Sequence, residues 1–288
     1  MESKRIKMKK TLSRLFVKVT VISLLLVDCR QKAEDPFIAV GGDDLSQTVI
    51  CPRQVLLKEF DRDVDGLFHL DTQYSFVLPE PLGYRGIDYW RFDIHFDTVY
   101  KTDLLRYSVL GRTRYRDTVR RFSGEIILDS LSIVWTLDSL DDFFYRLARY
   151  TDIDYGAYLH GHYFFREDTT AHGAGLLQGR VIYSVIHEKG TLCYDPEGID
   201  YADGYDNNQY QGTWSLSDGS RSVPCNWGHF RIPNSQRLDS GVGEFNPDSQ
   251  YVNNGWQLHH LLLNAVYGTP QYDSIHAQYE ADRNWWCK

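Results

Sequence analysis

His160 and His162 stand two residues apart in the run Gly156-Ala157-Tyr158-Leu159-His160-Gly161-His162-Tyr163-Phe164-Phe165-Arg166-Glu167. In an extended strand that spacing turns both imidazoles to one face, where a nearby carboxylate such as Glu167 could complete a metal site. A histidine-rich strand surface is the competing reading. Asp61, Asp63 and Asp65, followed by Gly66, form a second set. Alternate carboxylates can wrap a calcium ion while glycine makes the sharp turn. The twelfth position of that loop is Thr72 instead of a bidentate glutamate, so an acidic turn competes with a cation site. The third set is Trp214 and Trp227 with Asn207 and Asn208. Indole faces beside amides suit a sugar, whose ring stacks while its hydroxyls are hydrogen-bonded. The same two tryptophans could equally be cross-strand partners in a core.

Motifs for nucleophilic or phosphate chemistry are missing: there is no G-x-S-x-G, no H-E-x-x-H and no G-x-x-x-x-G-K. Glycoside hydrolysis needs only two carboxylates, and Glu167, Glu188 and Glu244 offer no spacing that selects a pair. The histidine run, with Gly190 and Pro196-Glu197-Gly198 after it, resembles the two cupin motifs over about 45 residues. The resemblance implies a metal held in a β-barrel, but the second motif's histidine position is Tyr201. Gly212-Thr213-Trp214 resembles the short Gly-x-Trp pattern of lipocalin barrels, although there it lies near the N-terminus.

The elements that would carry these residues read mostly as strands. Trp90, Phe92, Ile94 and Phe96 alternate with Arg91, Asp93, His95 and Asp97, the period of a half-buried antiparallel strand. Similar segments recur at 73–78, 104–110, 122–128 and 132–137. Strands at 177–186 and 191–194 flank His187-Glu188-Lys189-Gly190, and 212–216 faces 222–227 across Ser217-Asp218-Gly219-Ser220; both are hairpin signals. Arg106, Arg112, Arg114, Arg116, Arg120 and Arg121, interleaved with Asp103 and Asp117, read as one solvated strand face.

Ser139 with Asp142 three residues on starts one mid-chain helix, running to about Tyr150. Near the C-terminus the period changes. Trp256, Leu258, Leu261, Leu262, Leu263 and Val266 form a helical stripe ended by Gly268 and Pro270, and a second helix from Asp273 carries Ile275, Tyr279 and Trp286. The expected fold is therefore α+β: a predominantly antiparallel sheet, sandwich or barrel-like, with one mid-chain helix and two C-terminal helices. Residues 49–288 read as one domain, with a boundary near 168–173 as the alternative.

The N-terminus supplies an address. A basic start is followed by an apolar stretch from Val19 to Val27, too short for the roughly 20 residues that a membrane-spanning helix needs. Leu26-Val27-Asp28-Cys29 resembles the bacterial lipobox, with Asp28 departing from its usual small residue, and Glu34 and Asp35 resemble the surface-export signal of Bacteroidota lipoproteins. The resemblance implies a signal peptide at 1–28, lipidation of Cys29, a tether at 29–48 and an anchor in the outer membrane or on the cell surface.

Residues 1–28 hold seven of the 31 basic and two of the 39 acidic side chains, so the remainder carries a net charge of −13. That balance argues against a nucleic-acid partner. Cys51, Cys193, Cys225 and Cys287 remain as an even set in an oxidising compartment. Pairing of Cys193 with Cys225 leaves Cys51 with Cys287, and four independent buried thiols are the alternative.

The expectation is a lipid-anchored envelope protein acting as a binding or accessory module, with a glycan or an envelope protein as partner. It needs no cofactor, though calcium at the Asp61 loop is compatible with an extracellular setting. An envelope hydrolase or cupin-like metal enzyme, and a structural or protein-interaction lipoprotein, are the alternatives.

Overall fold

The computed structural model describes residues 49–51, 81–136, 153–170, 172–188, 190–194 and 207–287. Cys29, the Asp61, Asp63 and Asp65 set, and the expected helix at 139–150 lie outside the described residues. The described strands are β1 (Val49–Cys51), β2 (Leu82–Arg85), β3 (Trp90–Asp103), β4 (Arg106–Tyr115), β5 (Thr118–Thr136), β6 (Ile153–Glu167), β7 (Gly175–Glu188), β8 (Thr191–Tyr194), β9 (Asn207–Leu216) and β10 (Ser222–His229).

Every pairing is antiparallel, and each strand from β2 to β7 lies beside the next in the chain. From β7 the path continues to β9 and β10, and β10 returns to pair with β2. Eight strands thus close a ring in sequence order, an up-and-down barrel with no free edge between them. β1 extends β5, and β8 folds back on β7 through the hairpin that the sequence indicates. The β9–β10 hairpin also forms as expected. Gly219 takes φ 73° at its tip, and Asp218 accepts from Ser220 N and Oγ.

Alternation decides what fills the barrel. Phe92 and Ile94 point inward as expected, joined by Tyr107, Phe122, Ile126, Tyr163, Phe165, Leu177, Tyr183, Tyr210, Trp214 and Trp227 in one continuous core. The interior is therefore packed with rings, as a barrel of this size allows. Where two strands approach closely the inward position is glycine. A Cβ on Gly212 would meet Gln178 O at 2.1 Å and Tyr163 Oη at 2.5 Å.

After β10 the chain crosses the outer face of β2–β4. Tyr84, outward on β2, packs with Ile232, Leu238, Phe245 and Trp256 in a second cluster. Trp256 Nε1 donates to Tyr89 O, and Asn254 Nδ2 donates to Asp88 O. Two helices follow, α1 (Gln257–Asn264) and α2 (Pro270–Arg283). α1 ends earlier than its leucine pattern implies, and it buries His259 while Leu261 and Val266 stay exposed. α2 begins before Asp273, because Thr269 accepts from Tyr272 N as an N-cap and Pro270 suits the first turn.

Outward charges seat these helices. Arg114 donates to both Asp93 and Asp282, Arg91 contacts the same two carboxylates, and Arg112 donates to Trp286 O. Burial lowers the Arg114 pKa, but hydrogen bonds to Asp282 and Asp93 more than reverse that and raise it. His95 stacks on Trp286 with centroids 4.2 Å apart. Part of the arginine group expected to be solvated is thus covered. Asp282→Ala leaves two largely buried guanidiniums with Asp93 as their remaining shared carboxylate and removes the ion pairs that tie α2 to the sheet, and is expected to cost about 2 kcal/mol. The shift in urea midpoint measures it; an unchanged midpoint would show that α2 is held by its apolar contacts alone.

Candidate functional site

The β6 register separates the proposed metal ligands. His160 and His162 face outward, whereas Glu167 lies an odd number of residues away, points into the barrel and is buried. The expected triad is not assembled. Among the described residues no group of three or more His, Cys, Asp or Glu side chains is placed to hold a metal ion. The two histidines engage their own face instead: His160 Nε2 lies 2.9 Å from Ser132 Oγ, and His162 Nδ1 contacts Asp129.

What that face presents is a stripe. Tyr158, His160, His162, Phe164 and Arg166 occupy successive outward positions of β6, with Tyr158 42% and Phe164 38% exposed. The neighbours of its two rings in register are polar, Ser132 and Ser184 beside Tyr158 and Glu125 and Gln178 beside Phe164, while Ile182 lies beside His160 and Ile127 and Arg180 flank His162. The two exposed rings are six residues apart, a separation of about 20 Å along the strand.

The tryptophan set resolves differently. Trp214 and Trp227 are both buried in the barrel core, so neither can serve as a sugar platform. Even-numbered positions of β9 and odd-numbered positions of β10 face inward, and both tryptophans fall on those phases. Asn207 is buried and acts as a strand clip: Oδ1 accepts from Ser184 N and Asn208 N, and Nδ2 donates to Ser184 O. Asn208 has φ 49°, and its Nδ2 lies 3.2 Å from His229 Nδ1. These asparagines serve the fold.

Neither expected disulfide forms, since Cys225 is a buried free thiol and Cys287 an exposed one. Register gives the reason. Cys225 lies level with Gly212 and, through it, with Gly179, whereas Cys193 lies level with Ile186. Seven residues along β7 span about 23 Å, far beyond the ~7 Å Cα separation that a disulfide can bridge. Cys51 and Cys193 fall in strands, β1 and β8. Burial raises the Cys225 thiol pKa, with Glu167 adding to it against Arg85, so the thiol stays protonated and inert.

One end of the barrel brings together Glu167, Arg85 and Arg120, a grouping that the sequence reading did not make. Glu167 Oε1 accepts from Thr113 Oγ1 at 2.7 Å, and Oε2 accepts from Gly175 N and Trp214 Nε1 at 2.9 and 3.1 Å. Arg85 lies with its guanidinium carbon 3.2 Å from the Trp214 ring centroid and 4.2 Å from that of Tyr115. Arg120, expected on the solvated face, pairs in register with inward Thr113 and lies two residues before inward Phe122. The phase was readable: in a β5 segment whose apolar positions are 122, 126 and 128, position 120 belongs to the inner face.

The described strands thus form a closed antiparallel barrel with a ring-packed interior, an aromatic stripe on one outer face and two guanidiniums at one end. Comparison with protein-family models, with curated proteins and with solved structures finds no match for this chain.

Proposed function

We propose that this chain is an exported, lipid-anchored envelope protein that acts as a binding module, holding an extended glycan along the outer face of β6. The observation that carries this reading is the outward stripe of Tyr158 and Phe164, exposed rings flanked in register by serine, glutamine and glutamate side chains. Aromatic faces stack on sugar rings while polar neighbours take hydroxyls. A 20 Å separation suits a chain of several sugar units. The ring-packed barrel interior leaves an extended polymer only the outer surfaces. The resemblance of Leu26-Val27-Asp28-Cys29 to a lipobox supports a location outside the cytoplasm.

Catalysis gains little support from this face. Ser132 and His160 make a hydroxyl–imidazole contact, but they lie on a paired sheet face whose backbone N–H groups belong to strand ladders. No amide there is offered as an oxyanion hole.

Glycan-array binding by the mature chain, compared with Tyr158→Ala/Phe164→Ala, tests the reading. The double variant should fold with unchanged thermal midpoint and lose at least tenfold in affinity. Equal binding by the two proteins, or no glycan bound by the wild type, would remove the proposal. Labelled palmitate should enter the wild type and not Cys29→Ser; absence of label in both would leave a body without its anchor.

A further inference from the structure

The inward end of the barrel carries more positive charge than it neutralises. Arg85 is 8% exposed, yet its Nη1 has no hydrogen-bond partner. Arg120 Nε is also buried and without a partner, while its Nη2 donates to His172 O. Neither guanidinium makes an ion pair among the described residues. The nearby carboxylate, Glu167, is occupied by three neutral donors. A buried cation left unsatisfied is costly, and aromatic faces replace only part of its hydration. Both cations belong to the surroundings of Glu167: Arg85 lies on Trp214, which donates to Oε2, and Arg120 pairs in register with Thr113, which donates to Oε1. Burial lowers the Arg85 pKa to about 10.

We propose that this end of the barrel is a binding site for a small monocarboxylate, whose oxygens accept from Arg85 and Arg120. Planar carboxylates match guanidinium donors, and such charge-assisted bonds are the strong ones. Charge selects the ligand: two guanidiniums against Glu167 leave one positive charge, which a monoanion balances and a phosphate dianion exceeds. The rings of Trp214 and Tyr115 hold Arg85 on both sides, so its fork is already oriented before the ligand arrives. The site is separate from the β6 stripe, because its side chains point to the opposite face of the sheet.

Sodium acetate titrated into the mature chain at fixed ionic strength and pH 7.5, followed by tryptophan fluorescence, tests the site, since Trp214 reports on Arg85. Acetate should give a saturable change, with inorganic phosphate at least fivefold weaker. Arg120→Gln, verified as folded by circular dichroism, should weaken acetate at least fivefold. Arg120→Gln carries the decision, because Arg120 is less buried than Arg85 and its loss spares the Trp214 and Tyr115 stack. No saturable response in the folded wild type, phosphate binding tighter than acetate, or unchanged affinity in Arg120→Gln would each overturn the proposal.

Discussion

Trp227→Ala is expected to remove about 3–5 kcal/mol of stability, the largest loss of any single truncation in the barrel. Trp227 is 1% exposed and lies against four rings at once. Tyr210 stacks on it at 4.8 Å, Tyr163 meets it edge-on at 5.0 Å, and Phe92 and Phe165 lie at 5.7 and 6.5 Å. Its Cβ also fills the space that a side chain on Gly83 would need, 2.8 Å away across the seam where β10 meets β2. Truncation therefore loses the transfer energy of an indole and leaves a cavity bounded by rigid rings from β3, β6 and β9. Those rings are pinned by their own contacts and cannot all collapse inward. Since domains commonly retain only about 5–15 kcal/mol, the variant should be largely unfolded at modest temperature. Trp227→Phe, which keeps a ring in place, should cost roughly a third as much. Urea denaturation measures both; a loss below 1 kcal/mol for the alanine variant would mean that the interior is not packed as described.

Acidification from pH 7.5 to 4.5 should remove about 5 kcal/mol through two histidines, His229 and His259. Burial lowers the pKa of each to about 4. For His259 the acceptor Phe245 O works against that shift and Arg91 adds to it. Both rings are neutral in the folded chain, and in the unfolded chain they take up protons at about 6.5. Because the folded pKa is depressed, this contribution is fully present above pH 6.5, declines as the unfolded state gains protons, and is spent near pH 4. His259 anchors α1 between Phe245, Trp256 and Tyr279, so its protonation should release the C-terminal segment, whereas His229 at the end of β10 should loosen the barrel. The carboxylates of Asp168 and Asp218, held below their ordinary range by Thr170 and Ser220, respond only at lower pH. Urea midpoints at pH 7.5, 6.0 and 4.5 give the slope. In His259→Gln the slope should fall by about half, and a wild-type midpoint flat down to pH 4.5 would refute the assignment.

Local alternation made much of the sheet legible. The β3 pattern from Trp90 to Asp97 and the two hairpins at 187–190 and 217–220 are in place because each depends on neighbours in sequence. Closure was not legible, because pairing of Arg85 with Cys225 joins residues 140 positions apart and leaves no trace in either strand alone. The site expectations failed on phase. His160 and His162 share a face as spacing dictates, but parity alone places Glu167 on the other side, a count that could have been made from the run itself. Trp214 and Trp227 have the right chemistry for a sugar, yet inward phase gives them to the core. The α1 stripe misled for another reason: hydrophobic period tells which face a helix prefers, not whether the surface beneath is wide enough to cover it, and α1 rests on its histidine.

The β2–β10 seam bears on how the barrel comes together in time. Every other junction in the ring joins strands that follow one another among those of the barrel, so those junctions can form by successive short-range closures; the seam must wait for the two ends of the sheet to meet, the step with the greatest chain-entropy cost. Until then β2 and β10 are open edges, the state from which strands pair with other chains. The segment after β10 lies across that junction: Asn226 Nδ2 donates to Tyr84 Oη, which donates to Asn234 O, and Trp256 and Asn254 reach the β2–β3 turn. The C-terminal 59 residues thus act as a latch that slows reopening, and a chain ending at His229 should refold into soluble aggregates more readily than into monomer.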